Sequence, residues 1–175
     1  MIRDIVIYPD ETLHKVSDKV EKFDEELHQL LDDMYETMIA KNGVGLAAIQ
    51  VAVPLRALII NIPIENDEGE PVDQPMENTL EIVNPIIRAA EGSTKFQEGC
   101  LSVPGYYEDV ERFEHVIVEY QDRRGETFVI EDDSFLSIAL QHEIDHLEGR
   151  VFVEKLSYTK RKKFEKEWRK KGKKS

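Results

Sequence analysis

With a single cysteine in 175 residues the chain cannot form an internal disulfide, so Cys100 acts, if it acts, as a thiol. No apolar run approaches the roughly 18 residues that a membrane-spanning helix needs. The opening stretch MIRDIVIYPDETLH lacks the basic start and apolar core of a secretory signal. A cytoplasmic protein is expected. Glycine and proline number only nine and seven, which excludes a collagen-like or low-complexity polymer, and no internal repeat is visible. Hydrophobic residues at 41% and charged residues at 34% supply a core and a solvated surface. At this length the core belongs to one domain.

Basic charge is also scarce, except at one end. The formal net charge is minus 13, yet residues 155–175 hold eleven of the 23 basic and two of the 36 acidic residues. That segment carries plus 9 and the remainder minus 22. The body repels nucleic acid, whereas the C-terminal segment is drawn to phosphate or acidic surfaces.

Hydrophobic spacing organises the rest. After Asp24, the apolar residues Leu27, Leu30, Leu31, Met34, Tyr35, Met38 and Ile39 recur at threes and fours, and Asn42-Gly43 closes the run. An amphipathic helix follows from that pattern. Arg56–Ile62 and Leu80–Ile87 are short, branched and bounded by prolines, as strands are. The acidic stretch 65–79 between them, with two prolines and no period, is expected to be a solvent loop. A strand over Val110–Tyr120 and a turn at Arg124-Gly125 into Glu126–Ile130 predict an antiparallel hairpin. Ser134 then opens a helix that runs to Leu147 and stops at Gly149, apolar around much of its first half and therefore buried. A last helix from about Ser157 to Lys171 places Phe164 and Trp168 four apart among cations, with Gly172 ending it. Helices and strands do not alternate, so the fold class is α+β: antiparallel or mixed sheets packed around the buried second helix, with the amphipathic helix before it and the basic one after it.

That buried helix carries His142-Glu143-Ile144-Asp145-His146, an HExxH sequence. Four residues advance a helix slightly more than one turn, so both imidazoles share a face and reach one cation. Glu143 lies about 100° round the axis, where it serves better as a base for water than as a ligand. A surface histidine pair is the alternative, and the apolar flanks argue against it.

Two imidazoles do not make a tight site, so a third ligand is required. Glu165, 19 residues after His146, is one candidate, although it sits among Lys162, Lys163 and Lys166, its natural partners. Cys100, in Glu98-Gly99-Cys100-Leu101-Ser102, is the other, since a metal holds a thiol as thiolate. Alone, Cys100 reads as a buried inert residue; beside HExxH it reads as a ligand.

The run GVGLAAIQ, residues 43–50, satisfies GxGxxA, and Glu65 lies 20 residues beyond its second glycine. It follows a helix, whereas a dinucleotide fingerprint leaves a strand, so NAD is rejected. Its small residues let another backbone approach, and Gln50 ends it with an amide donor. No phosphate-cradling Gly-Lys-Ser/Thr loop follows, and no GxSxG marks a serine hydrolase.

Together, and in this order, GVGLAAIQ, EGCLS and QHEIDH resemble the peptide deformylase family, and the likeness runs from the first helix through Leu156. The resemblance implies a catalytic domain over residues 1–159, with 160–175 as a basic helical tail. It implies removal of the formyl group from the N-terminal formyl-methionine of newly made polypeptides. The implied metal is ferrous iron, replaceable by zinc, nickel or cobalt and held by Cys100, His142 and His146. Glu143 is then the proton carrier, with the Gln50 side chain and the Leu101 backbone N–H as donors to the formyl oxygen. Gly45 and Gly99 would pair with an extended substrate, and Val44, Phe135, Ile138 and Ala139 would surround the methionine side chain. The family pattern further implies an ion pair between Glu98 and Arg112 and a supporting role for Asp145 beside a ligand histidine. Tyr107 stands where family members often carry arginine. Bacterial relatives suggest that the basic tail contacts the ribosome. Two other functions compete: an HExxH zinc peptidase using Glu165, and a metal-stabilised ribosome-binding module without catalysis.

Overall fold

The computed structural model describes residues 1–173. A five-stranded antiparallel sheet is its centre, in the order β1 (Gly45–Ala47), β2 (Ala57–Ile60), β5 (Leu80–Glu91), β8 (His115–Gln121) and β9 (Thr127–Asp132). Two hairpins stand apart from it: β3 (Ile64–Glu65) with β4 (Pro71–Asp73), and β6 (Thr94–Cys100) with β7 (Val103–Arg112).

The sheet lies between two helices, and strand alternation decides which residue faces which. Leu46, Ala57, Ile59 and Val83 meet Leu27, Leu31, Met34 and Met38 of α1 (Glu25–Ala40). Their neighbours Ala47, Leu58, Ile60 and Ile82 meet Leu140, Ile144 and Leu147 of α2 (Phe135–Leu147) on the opposite face. Every residue of β2 is therefore buried, which explains its uninterrupted apolar sequence.

Local rules set the helix ends. The Asp24 carboxylate accepts from the Leu27 N–H at 3.2 Å to start α1. Asn42, at φ 57°, turns the chain out, and the Gly43 N–H closes onto the Met38 carbonyl at 2.9 Å. Ser134 precedes α2 but its side chain makes no cap bond; Asp132, two residues earlier, accepts from the Ser137 N–H at 2.8 Å instead.

Three expectations about the strands and the loop between them need correction. Residues 110–120 are not one strand: β7 ends at Arg112, Phe113-Glu114 turn the chain, and β8 begins at His115. The stretch 65–79 is not structureless, since it contributes to the β3–β4 hairpin and a 3-10 turn over Met76–Asn78. β5 continues past Ile87 to Glu91, taking Pro85 at a bulge where no ladder donor is needed.

The third helix, α3 (Tyr158–Lys173), runs through Gly172 rather than ending there. Phe164 is buried with Leu13, Val103, Phe152 and Leu156, and Trp168 donates its indole N–H to the Tyr8 carbonyl at 3.1 Å. Tyr8 in turn donates its N–H to the Ser102 carbonyl at 2.8 Å, so the helix is braced against the segment after Cys100. Phe164→Ala is expected to cost about 3–5 kcal/mol, read as a lowered urea midpoint. Lys166→Ala, on the exposed side, should stay within about 0.5 kcal/mol. Among the described residues no helix is long and apolar enough to cross a membrane.

Candidate metal centre and active site

One helical turn separates His142 from His146 on α2, and their ring centroids lie 5.1 Å apart. Cys100 enters from the end of β6, where a register shift after Glu98 and the pairing of Cys100 with Val103 make a tight corner. One ligand atom from each of the three residues lies within 4.8 Å of the others, and Cys100 Sγ stands 3.5 Å from His146 Nε2. Glu165 is elsewhere occupied: Arg161 and Lys162 approach its carboxylate at 3.6 Å and Arg169 at 3.9 Å, all within α3.

This donor set fits a divalent transition metal. Glu98 Oε1 takes His142 Nδ1 at 2.7 Å, leaving Nε2 for a cation. Burial works against charge on His142, yet Glu143, Cys100 and Glu98 outweigh it and hold its pKa well above the usual range. The surroundings thus attract positive charge at that place, and a cation meets the demand as a proton does. His146 is driven the other way, well below its usual value, by burial and by the charges of His142 and Arg112. Its neutral form is the one that ligates.

Behind His142 lies a buried chain of charges. Arg112 grips Glu98 with two bonds of 2.8 Å, and its other arm meets Asp145, which also takes Lys155 at 3.3 Å. Asp145 therefore faces Arg112 and not a histidine. Burial raises the Glu98 pKa, but bonds from Arg112 and His142 prevail and bring it to about 2. A carboxylate depressed in this way stabilises the fold above its ordinary value near 4.5 and loses that contribution as pH falls toward 2. Glu98→Gln should accordingly show a flatter decline of urea midpoint between pH 5.5 and 3 than the unsubstituted protein.

Glu143 is buried, and its Oε1 has no hydrogen-bond partner. Burial, reinforced by the negative charges of Glu98 and Asp145 and opposed by His142 and Arg112, pushes its pKa up to about 7. A Cβ at position 45 would stand 2.5 Å from Glu143 Oε2, so only glycine lets β1 pass this close to the carboxyl group. Gln50 is held at both ends of its amide. Its Oε1 accepts from the Ala47 N–H at 2.9 Å, while Nε2 donates to Ser102 Oγ at 3.1 Å and to Cys100 Sγ at 3.4 Å.

These groups line one cavity of about 540 Å³. Val44, Gly45, Gln50, Gly99 and Leu101 form part of its wall, and Phe135, Ile138 and Ala139 close the α2 side. Sequence reasoning missed Phe96, which lines the cavity and packs on Phe135 with ring centroids 5.3 Å apart. The available signal was its place two residues before Glu98 on the same strand, ahead of the register shift. Pro104 and Gly105, also in the wall, gave no comparable sign. Tyr107 lies across Gly99 and remains 63% exposed.

A candidate cation seat of one thiol and two imidazoles beside a buried carboxyl group, opening on a cavity with fixed donors, belongs to the metal-dependent hydrolases. A family model described as Polypeptide deformylase matches residues 2–162. The chain is 58% identical over 166 residues to a peptide deformylase of Wolinella succinogenes, covering 95% of each. To that of Nautilia profundicola it is 54% identical over 169 residues, covering 97% of this chain and 94% of the relative. Among solved structures, a peptide deformylase from Legionella pneumophila superposes with a TM-score of 0.86 at 42% identity, covering 99% of this chain and 96% of that one. The Ehrlichia chaffeensis peptide deformylase in complex with actinonin gives 0.85 at 42%, with 97% of each chain covered. This chain belongs to the peptide deformylase family.

Proposed function

We propose that the protein hydrolyses the N-terminal formyl-methionine amide of newly made polypeptides, releasing formate and a free α-amine in the cytoplasm. The observation that carries this reading is the buried Glu143 carboxyl, its Oε1 without a hydrogen-bond partner, beside the Cys100, His142 and His146 cluster. Those three residues would hold the metal, and the bound cation supplies Lewis acidity, making water acidic and a carbonyl electrophilic. Ferrous iron is the proposed physiological ion, with zinc, nickel or cobalt as substitutes. A thiolate with two imidazoles suits each of these ions, and iron rests on the family likeness.

Glu143 takes the proton from the attacking water and returns it to the departing amine, a task suited to a carboxyl group whose pKa lies near 7. The Gln50 amide, clamped by Ala47 and Ser102, turns the N–H that otherwise rests on Cys100 Sγ toward the formyl oxygen together with the Leu101 backbone N–H. Gly45 and Gly99 offer main-chain groups to an extended peptide, as in strand addition. Val44, Phe135, Ile138 and Ala139 receive the methionine side chain, whose flexible thioether fills an apolar pocket well. Formate release from a formyl-methionyl peptide by anaerobically purified protein tests the reading, with the acetyl-methionyl peptide as control. Equal release of both acids, or no formate at all, overturns it.

The basic segment 160–175 is proposed to dock on the ribosome beside the catalytic unit 1–159. Phe164 and Trp168 turn inward, which leaves Lys162, Lys163, Lys166 and Lys170 in solvent, available to phosphate. Replacing these four lysines with glutamate should abolish salt-sensitive co-sedimentation with ribosomes while leaving peptide turnover unchanged.

A further inference from the structure

One wall of the cavity is held from outside it. The segment from Lys41 to Gly45 lines the cavity, and only Gly45 belongs to a ladder, paired with Ile60 of β2. Ahead of that pair, the Val44 carbonyl accepts from the Asn61 N–H at 2.8 Å. The Gly43 carbonyl accepts from the side chain of Gln74, the residue that follows β4, Nε2 to O 3.0 Å. The same Nε2 donates to the Asn61 carbonyl at 2.8 Å. Two carbonyl acceptors can be met only by the NH₂ end of the amide, so its orientation is fixed by chemistry. Gln74 is itself anchored, because the Tyr35 hydroxyl of α1 donates to its main-chain carbonyl at 2.7 Å. Asn61, fully buried, sends Nδ2 to the Pro75 carbonyl and to Thr79 Oγ1, both at 2.9 Å, and ties down the far side of the same stretch.

What this bracket holds in place matters for the chemistry. A Cβ at position 43 would stand 2.7 Å from Leu101 Cδ1, and one at position 45 would stand 2.5 Å from Glu143 Oε2. The segment therefore runs close against the Leu101 side chain and the Glu143 carboxyl group, the two residues to which the proposed reading gives the formyl oxygen and the proton. We propose that Gln74, which lies outside the cavity wall, is a positioning residue: its amide sets the Gly43–Gly45 strand edge against Leu101 and Glu143 and in register for the substrate backbone. The proposal rests on the deformylase reading for its kinetic consequence, not for its structural one.

The test compares three substitutions with the unsubstituted holoenzyme. Gln74→Met keeps the length and removes both donors; Gln74→Glu presents carboxylate oxygens to two carbonyls; Gln74→Lys restores donors at a half-exposed site. With a formyl-methionyl tripeptide, Gln74→Met should lose about tenfold in kcat/KM, the scale of two hydrogen bonds. Most of that loss should lie in KM, with metal content unchanged and the melting temperature lowered by only about 2–4 °C for each kcal/mol the two bonds contribute. Gln74→Glu should lose more, and Gln74→Lys should recover to within about threefold of the unsubstituted protein. Hydrogen exchange at the amides of residues 44–47 should accelerate in the Met and Glu variants and not in the Lys variant. Full activity in Gln74→Met, or equal losses in all three, overturns the proposal. If the unsubstituted protein releases no formate, the deformylase reading fails by itself. The exchange measurement then decides the positioning role, and exchange that ignores the donor overturns it.

Discussion

Glu143→Gln is expected to lower kcat for formyl-methionyl peptides by roughly 10² to 10⁴-fold while the protein retains its full metal content. Glutamine keeps the volume of the side chain, so the contact with Gly45, where no Cβ fits, survives the change. What disappears is the capacity to take up a proton and give it back. The glutamate is well placed for that exchange: burial first, then Glu98 and Asp145, raise its pKa to about 7, near the operating pH of a cell. Its Oε1 makes no hydrogen bond that the amide would forfeit, so the substitution reads out chemistry more than stability. Single-turnover kinetics with metal analysis of the same sample checks the result. Turnover within tenfold of the unsubstituted protein would remove Glu143 from its role and revive a metal module that binds without reacting, since such a module needs no base.

The parts of this molecule that are legible in its sequence are those whose logic is local. α1 shows in the spacing of Leu27, Leu30, Leu31, Met34 and Met38 because one face of a helix repeats every turn, and that face is the one packed on the sheet. His142, Glu143 and His146 are legible for the same reason, since the two proposed ligands and the proposed base share thirteen residues of one helix. Cys100 is a harder case. Only the presence of HExxH more than forty residues away turns a lone thiol into a candidate ligand, and the structure brings the two together through a corner that no periodicity announces. The β6–β7 hairpin is poorly legible because few of its residues are buried: Val103, Val110 and Arg112 on β7, and Glu98 on β6. A hairpin turned mostly to solvent writes little alternation into the chain. The α2 cap fails as a reading because Asp132, reaching over from the end of β9, displaces Ser134 from the task. Gln74 is illegible altogether. Its partners Gly43 and Asn61 lie 31 and 13 residues away, and both contribute backbone carbonyls, which every residue possesses.

Cys100→Ser, set beside Glu165→Gln, separates the two ways in which an HExxH helix can complete a metal site. Loss of the thiolate should weaken metal binding by more than the roughly 10 to 100-fold that follows from loss of a residue behind the ligands. A serine hydroxyl stays protonated where a thiol ionises, and its harder oxygen suits the ion less well. Glu165→Gln should leave affinity unchanged. Its carboxylate is shared among Arg161, Lys162 and Arg169 on the surface of α3, and pairs of that kind contribute about 0 to 1 kcal/mol to stability. Competition against a chromophoric chelator measures both affinities on one scale. The reverse pattern, with Cys100→Ser keeping its metal and Glu165→Gln losing it, would mean that α3 swings its acidic residue into the site. That motion requires Phe164 to leave its buried place among Leu13, Val103 and Phe152 and the Trp168 indole to release the Tyr8 carbonyl. Withdrawing one phenyl ring from such a cluster costs about 3–5 kcal/mol, more than a half-exposed carboxylate giving up its Arg161, Lys162 and Arg169 partners can offset. The thiol, already 3.5 Å from His146 Nε2, needs no such rearrangement.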